Sequence, residues 1–168
     1  NMDSYVYDLV KLVRQRSISA HGEGIAECIQ ITTELIKRLG LNTQVCPIEG
    51  GHPVIYAKSP ESSQEGKGIL MYNHYDVQPP DPLEEWISDP FAADVRDGYI
   101  FARGVADNKG AIVSRLGALK AILDAGLLPS ANLKYFVEGE EEVGSPNLPK
   151  FISKERELLR ADGCLWEG

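Results

Sequence analysis

The chain has 168 residues, of which 43% are hydrophobic and 25% charged, and 17 basic against 25 acidic residues give a net charge of −8. This length fits one globular domain. The negative charge disfavours a nucleic-acid partner, because phosphate binding needs clustered basic residues. No charge-free run approaches the roughly 20 apolar residues of a transmembrane helix. The absence of a basic and apolar leader and of a C-x-x-C pair predicts a cytoplasmic protein without disulfides.

The spacing of apolar residues alternates between helical and extended patterns along the chain. The second helical segment ends at Gly40, and glycine is a common helix stop. A proline-rich loop over residues 77–98 ends in Asp97-Gly98, a pair typical of hairpin turns. The predicted helices span residues 3–16, 23–39, 108–125 and 149–159, and the predicted strands span residues 41–48, 53–57, 68–72, 99–102, 133–137 and 163–166. This order predicts an α/β fold, a three-layer sandwich in which helices flank a mixed, largely parallel sheet.

Four of the predicted strands are followed by side chains that can bind a metal ion. In open α/β sheets, ligands bind beyond the carboxyl ends of the strands. We therefore expect these side chains to converge on one site. In chain order, the candidate residues are His74, Asp76, Asp107, Glu141, Glu142 and Glu167.

Each candidate also has an ordinary structural explanation. His74 and Asp76 could form a surface turn, but residues i and i+2 of an extended segment point the same way, so the carboxylate can support the imidazole. Asp107 could cap the next helix, but Gly104 and Gly110 would let the backbone approach a ligand. The glutamate run could be a solvated loop. Hydrolysis, however, needs a general base beside a metal ligand, and two adjacent glutamates can provide both.

Three motifs of the chain resemble those of the M20 metallopeptidases and occur in the same order. They read YNHYDVQP at residues 72–79, ARGVADNKG at residues 102–110 and EGEEEVGS at residues 138–145. The resemblance covers nearly the whole chain, and three long motifs in order are far more specific than any one of them. It implies a zinc-peptidase-like fold and a hydrolase with two co-catalytic divalent metal ions, zinc first, with manganese or cobalt as alternatives.

The resemblance also implies a role for each candidate side chain. His74 and Glu167 would bind one metal ion, Glu142 would bind the other, and Asp107 would bridge the two. Asp76 would orient His74. Glu141 would be the general base that deprotonates the bridging water and later protonates the leaving amine.

Members of this family contain segments that have no counterpart here. They have an inserted lid and dimerisation domain and a C-terminal catalytic segment with a second histidine ligand, whereas no histidine follows His74 in this chain. Residues 1–168 are therefore expected to be the N-terminal portion of a catalytic metallopeptidase domain, incomplete at its C-terminal side and inactive alone. The complete enzyme is expected to be a homodimer through its lid domain and to bind neither membranes nor nucleic acid.

A dipeptidase-type peptidase is the leading functional hypothesis, because the sequence of residues 74–79 resembles the dipeptidase branch of the family more than the deacylase branch. N-acyl amino acid deacylases, of the acetylornithine deacetylase or succinyl-diaminopimelate desuccinylase type, share the same site residues. The expected substrate is therefore a small peptide or an N-acyl amino acid. An intact Glu141 disfavours a non-catalytic binding module on the same fold, and the lack of an EF-hand loop disfavours an unrelated calcium-binding protein.

Overall fold

The computed structural model describes residues 2–60, 67–127 and 131–166. Within these residues it contains five α-helices, seven strands and three single turns of 3₁₀-helix. The helices are α1 (Met2–Arg14), α2 (Ile25–Lys37), α3 (Lys109–Asp124), α4 (Leu148–Lys154) and α5 (Arg156–Leu159). The strands are β1 (Asn42–Cys46), β2 (Val54–Lys58), β3 (Gly68–His74), β4 (Asp94–Arg96), β5 (Tyr99–Phe101), β6 (Asn132–Glu138) and β7 (Gly163–Leu165). The 3₁₀ turns are Ser19–His21, Leu83–Glu85 and Glu141–Val143.

Five strands form the main sheet, in the order β1-β2-β6-β3-β7. β3 runs parallel to β6 and to β7, whereas β2 runs antiparallel to β1 and to β6. The sheet is therefore mixed, as predicted. His74 at the end of β3 stands opposite Glu138 at the end of β6, so the parallel strands bring their carboxyl ends to one edge of the sheet.

Helices cover both faces of this sheet. On one face, Leu12, Ile36 and Ile112 from α1, α2 and α3 pack against sheet residues such as Tyr135. On the other face, Phe151 of α4 packs with Val54, Tyr72 and Phe136. Neighbouring residues of β6 thus enter opposite cores, as the alternation of side chains along a strand requires. The three layers agree with the predicted sandwich.

No helix in the described part of the chain is both long and apolar enough to cross a membrane.

The hairpin that precedes α3 differs from the expectation for the strand at residues 99–102. Asp97 and Gly98 form the predicted turn, with φ of 51° and 81°, and β5 pairs with β4 in a separate two-stranded sheet. Ile100 packs beside Val13 of α1 rather than in the main sheet. The strand at residues 99–102 therefore does not join the main sheet, to which the sequence had assigned it.

The predicted helix at residues 149–159 is divided in two. Glu155 leaves the helical conformation with φ of −108° and ψ of 29°, between α4 and α5. The break brings the carbonyl oxygen of Leu158 to Tyr56 Oη at 3.1 Å and to Lys134 Nζ at 2.9 Å, and both groups donate to it. Hydrogen bonds to the sheet thus replace the continuation of the helix.

Candidate metal centre

His74 is the last residue of β3, two residues beyond the predicted end of the strand, and its side chain is fully buried. Its Nδ1 atom lies 3.1 Å from the carbonyl oxygen and 3.3 Å from Oδ1 of Asp76. Its Nε2 atom lies 2.9 Å from Asp107 Oδ1 and 3.7 Å from Glu141 Oε2. If Nδ1 donates to Asp76, the Nε2 lone pair can bind a metal ion placed between His74 and the other two carboxylates.

Asp76 links His74 to the glutamate segment, residues 140–142. Its fully buried carboxylate accepts hydrogen bonds from the backbone N–H groups of Glu141 at 3.3 Å and Glu142 at 3.1 Å. These groups open the 3₁₀ turn after β6, where backbone donors have no partner within the turn. The sequence predicted contact between Asp76 and His74 but not this second link.

Asp107 reaches His74 from the turn between β5 and α3. Its side chain is 72% exposed. The cap position of α3 is occupied by Asn108, which makes no side-chain cap hydrogen bond. Helix capping therefore does not explain Asp107, and its carboxylate is available to a ligand.

The three successive glutamates after Gly139 have different surroundings. Glu140 is 7% exposed, and its carboxylate accepts from Asn147 Nδ2 at 3.1 and 3.2 Å. Glu141 is partly exposed beside His74. Burial raises the pKa of Glu142, opposed by a hydrogen bond from Gln78 and reinforced by the negative charge of Asp107. Crowded carboxylates of this kind favour a compensating cation.

His74, Asp107 and Glu142 each offer a ligand atom, and these atoms lie within 4.8 Å of one another. One imidazole nitrogen and two carboxylate oxygens form a donor set that zinc takes in catalytic sites, and manganese and cobalt accept the same atom types. The residues therefore fit a divalent metal ion. Glu167, the remaining predicted ligand, lies outside the described residues.

The sequence did not predict the buried polar residues that lie next to this site, Asn73, Asn108 and Lys109. Lys109 is fully buried, and its Nζ donates to the carbonyl oxygens of Leu12 at 3.2 Å and Gln15 at 2.6 Å near the end of α1. Burial lowers the pKa of Lys109. Asn73 and Asn108 are also buried. For Asn73 the available signal was its place directly after the apolar run of residues 69–72, because buried polar groups must find partners.

The fold and this donor set together define an α/β protein with a candidate metal centre at the carboxyl edge of its sheet. The sequence profile of the peptidase family M20/M25/M40 matches residues 70–167, which is more than half of the chain. The chain therefore belongs to this family, as its motifs predicted.

Relatives and a solved structure agree with this assignment. The chain is 32% identical over 157 residues to the cysteinylglycine-S-conjugate dipeptidase of Corynebacterium striatum, covering 92% of the chain and 34% of the relative. It is 29% identical over 140 residues to the succinyl-diaminopimelate desuccinylase of Bordetella avium, covering 83% and 35%.

The crystal structure of an M20 family metallo-carboxypeptidase from Sulfolobus solfataricus superimposes with a TM-score of 0.91 at 42% identity, covering 98% of this chain and 37% of that one. The chain thus spans about one third of the length of each of these three proteins.

Proposed function

We propose that the natural protein is a metal-dependent amide hydrolase of the dipeptidase type, which uses a water activated between two metal ions. The observation that carries this proposal is the convergence of His74, Asp107 and Glu142 beside the partly exposed Glu141. A general base next to a metal-binding group is the minimum equipment for metal-assisted hydrolysis. Membership of the M20/M25/M40 family supports the same reaction class.

Divalent ions held by these residues would polarise the scissile carbonyl and make the attacking water more acidic. Glu141 takes the proton from this water and delivers it to the leaving amine. Asp76 would hold the His74 ring so that Nε2 faces the metal position. The hydrogen bonds of Asp76 to the backbone N–H groups of Glu141 and Glu142 fix the backbone from which these two side chains extend. Asp107 would bridge the two ions, Glu142 would bind one, and His74 with Glu167 would bind the other.

A small peptide is the proposed substrate. A cysteinylglycine-S-conjugate dipeptidase and a metallo-carboxypeptidase among the similar proteins support a peptide bond as the target. The similarity to a succinyl-diaminopimelate desuccinylase supports an N-acyl amino acid as the alternative. Both substrates present an amide carbonyl and an amine leaving group, so the same residues serve either reaction.

Calorimetric titration of the metal-free chain with zinc, manganese and cobalt tests whether the proposed site binds a metal ion. We expect binding that His74→Ala weakens strongly, because one of the three converging ligand atoms is removed. His21→Ala is the matched control, since His21 is an exposed residue of the Ser19–His21 turn. A wild-type chain that binds none of these ions would contradict the proposal.

The substrate is tested on the metal-loaded intact natural protein with dipeptides, N-acetyl amino acids and N-succinyl amino acids. Preferential hydrolysis of dipeptides would support the assignment as a peptidase. Preferential hydrolysis of N-acyl substrates would instead identify the protein as a deacylase. Metal binding without turnover of any substrate would favour the non-catalytic binding module.

A further inference from the structure

A pair of buried amide side chains lies directly behind His74 and Asp107. Asn73 precedes His74 on β3 and is fully buried, and Asn108 follows Asp107 and is 5% exposed. Asn73 Nδ2 donates a hydrogen bond to Asn108 Oδ1. The two candidate ligands are thus each adjacent in sequence to one member of this pair.

Arg115 of α3 determines how the amide of Asn73 is oriented. A guanidinium group can only donate hydrogen bonds, and Arg115 Nη1 donates to Asn73 Oδ1 at 2.9 Å and to the carbonyl oxygen of Tyr72. The oxygen of the Asn73 amide therefore faces Arg115 and its nitrogen faces Asn108. Arg115 Nη2 also donates to the carbonyl oxygen of Trp166 at 2.8 Å, so the guanidinium is itself held between the ends of β3 and β7.

The backbone that follows Asp107 is held from two directions. Asn108 is bonded toward β3 through Asn73, and Lys109 is bonded toward α1 through its buried ammonium group. The carboxylate of Asp107, in contrast, is 72% exposed. The position of this exposed side chain is therefore set by its buried sequence neighbours.

The direct contact between His74 and Asp107 cannot hold Asp107 in position in the metal-bound protein. His74 Nε2 and Asp107 Oδ1 lie 2.9 Å apart, within hydrogen-bond distance. The Nε2 lone pair must point at an ion that it binds, so this direct contact is lost when both side chains become ligands. A separate link between the two backbones is then needed to keep the ligands at matching positions.

We propose that Asn73 is a positioning residue of the metal centre, which acts through Asn108 to hold Asp107 in register with His74. This inference rests on the proposed function, because it requires that both side chains bind a metal ion. Groups behind the ligands of metal sites typically change metal affinity by about 10–100-fold when they are mutated. The Asn73–Asn108 bond has the location and burial of such a group.

Two variants interrupt the link at different points. Asn73→Leu removes the donor of this bond and the acceptor for Arg115 at similar volume. Asn108→Ala removes the amide that accepts this bond and leaves the contacts of Asn73 with Arg115 in place. Tyr56→Phe is the control, because it loses a hydrogen bond to Leu158 at the α5 side of the sheet. Each protein is titrated with cobalt(II), whose visible absorption spectrum reports ligand geometry, and circular dichroism verifies the fold.

We expect cobalt affinity to fall about tenfold or more in both asparagine variants, with a changed absorption spectrum, and to stay at the wild-type value in Tyr56→Phe. A folded Asn73→Leu or Asn108→Ala protein with wild-type affinity and spectrum would refute the positioning role while the proposed function stands. A wild-type chain that binds neither cobalt nor, in the calorimetric titration, zinc or manganese would refute the proposed function itself. If Asn73→Leu does not fold, Asn108→Ala decides the question, since its side chain lies in a turn outside the main sheet.

Discussion

The segment from Glu138 to Glu142 contains two pairs of glutamates in contrasting surroundings: Glu138 with Glu140, and Glu141 with Glu142. Glu138 is 2% exposed and accepts hydrogen bonds from Tyr72 Oη at 2.6 Å and Ser145 Oγ at 2.9 Å. Glu140 is similarly buried against Asn147. Glu141 and Glu142 instead stand beside His74 and Asp107. Neutral donors satisfy the first pair, whereas the second pair is left available to a cation.

The difference arises from the backbone rather than from the residue type. β6 ends at Glu138, and the 3₁₀ turn that begins at Glu141 directs its first backbone N–H groups to Asp76. The side chains of Glu141 and Glu142 then lie beside His74 and Asp107. Glutamates within one short segment therefore acquire a structural or a chemical role from their place in the turn, and substitutions along the segment test this division.

The largest effect is expected for Glu141→Ala in the intact natural protein. Removal of a general base lowers the rate by about 10²–10⁴-fold, and zinc affinity should change little because Glu141 is outside the converging ligand group. Steady-state kinetics and calorimetry measure the two quantities. Wild-type turnover in a fully metal-loaded variant would contradict the role of Glu141.

Glu140→Ala and Glu142→Ala should affect different properties. Loss of the Glu140 carboxylate removes hydrogen bonds from Asn147, and bonds to a charged group contribute about 1.5–3 kcal/mol. We therefore expect a lower free energy of unfolding in urea with metal affinity retained. Glu142→Ala should weaken metal binding and leave stability nearly unchanged. If both variants change the same property, the two glutamate pairs do not differ in role.

Gly139→Ala tests the packing between Glu138 and Glu140, the two members of the buried pair. A Cβ atom at Gly139 would lie 2.0 Å from Tyr75 Oη, which is held at the carbonyl oxygen of Pro53. Overpacking of this kind costs about 1–3 kcal/mol, and each kcal/mol lowers the melting temperature by about 2–4 °C in a chain of this size. Gly163→Ala is the control, because a Cβ atom there meets nothing within 4 Å. Equal melting temperatures in the two variants would contradict the close packing.

The smallest effect is expected for Glu138→Gln, and its sign depends on pH. Burial raises the pKa of Glu138, partly opposed by the hydrogen bonds from Tyr72 and Ser145. The folded protein therefore holds this proton more tightly than the unfolded chain, and stability falls as pH rises from the ordinary glutamate pKa through the raised value. Glutamine keeps an oxygen for Tyr72 and Ser145 without the charge.

The Glu138→Gln variant should consequently be more stable than the wild type at pH 7. The difference should disappear below about pH 4.3, where an ordinary glutamate becomes protonated. Urea unfolding of both proteins at the two pH values measures the change. A stability difference that increases on acidification would have the wrong sign for a buried carboxylate.

The sequence predicted the parts of the site that follow from local patterns. The parallel strands β3 and β6 bring their carboxyl ends together, so the convergence of His74 with the glutamate segment could be predicted from strand ends alone. Alternating helical and extended patterns were likewise sufficient for the three-layer sandwich.

Features set by contacts distant in sequence could not be predicted. The Asn73–Asn108 bond joins residues 35 positions apart, and no local pattern encodes such a pair. A three-residue strand such as β5 carries too little periodicity to indicate which sheet it joins. The buried Glu140 accepts from Asn147, which lies on the far side of the 3₁₀ turn, and the sequence pattern did not indicate that this turn would form.

The buried ammonium group of Lys109 has a consequence for the order in which the chain can fold during synthesis. It binds carbonyl oxygens of Leu12 and Gln15, which lie 97 and 94 residues earlier. Helix α1 therefore lacks these final partners until residue 109 has emerged, about 5–20 s later at typical rates of 5–20 residues per second. During that interval the apolar face of α1 lacks part of its final packing, so this helix depends on residues that are synthesised much later.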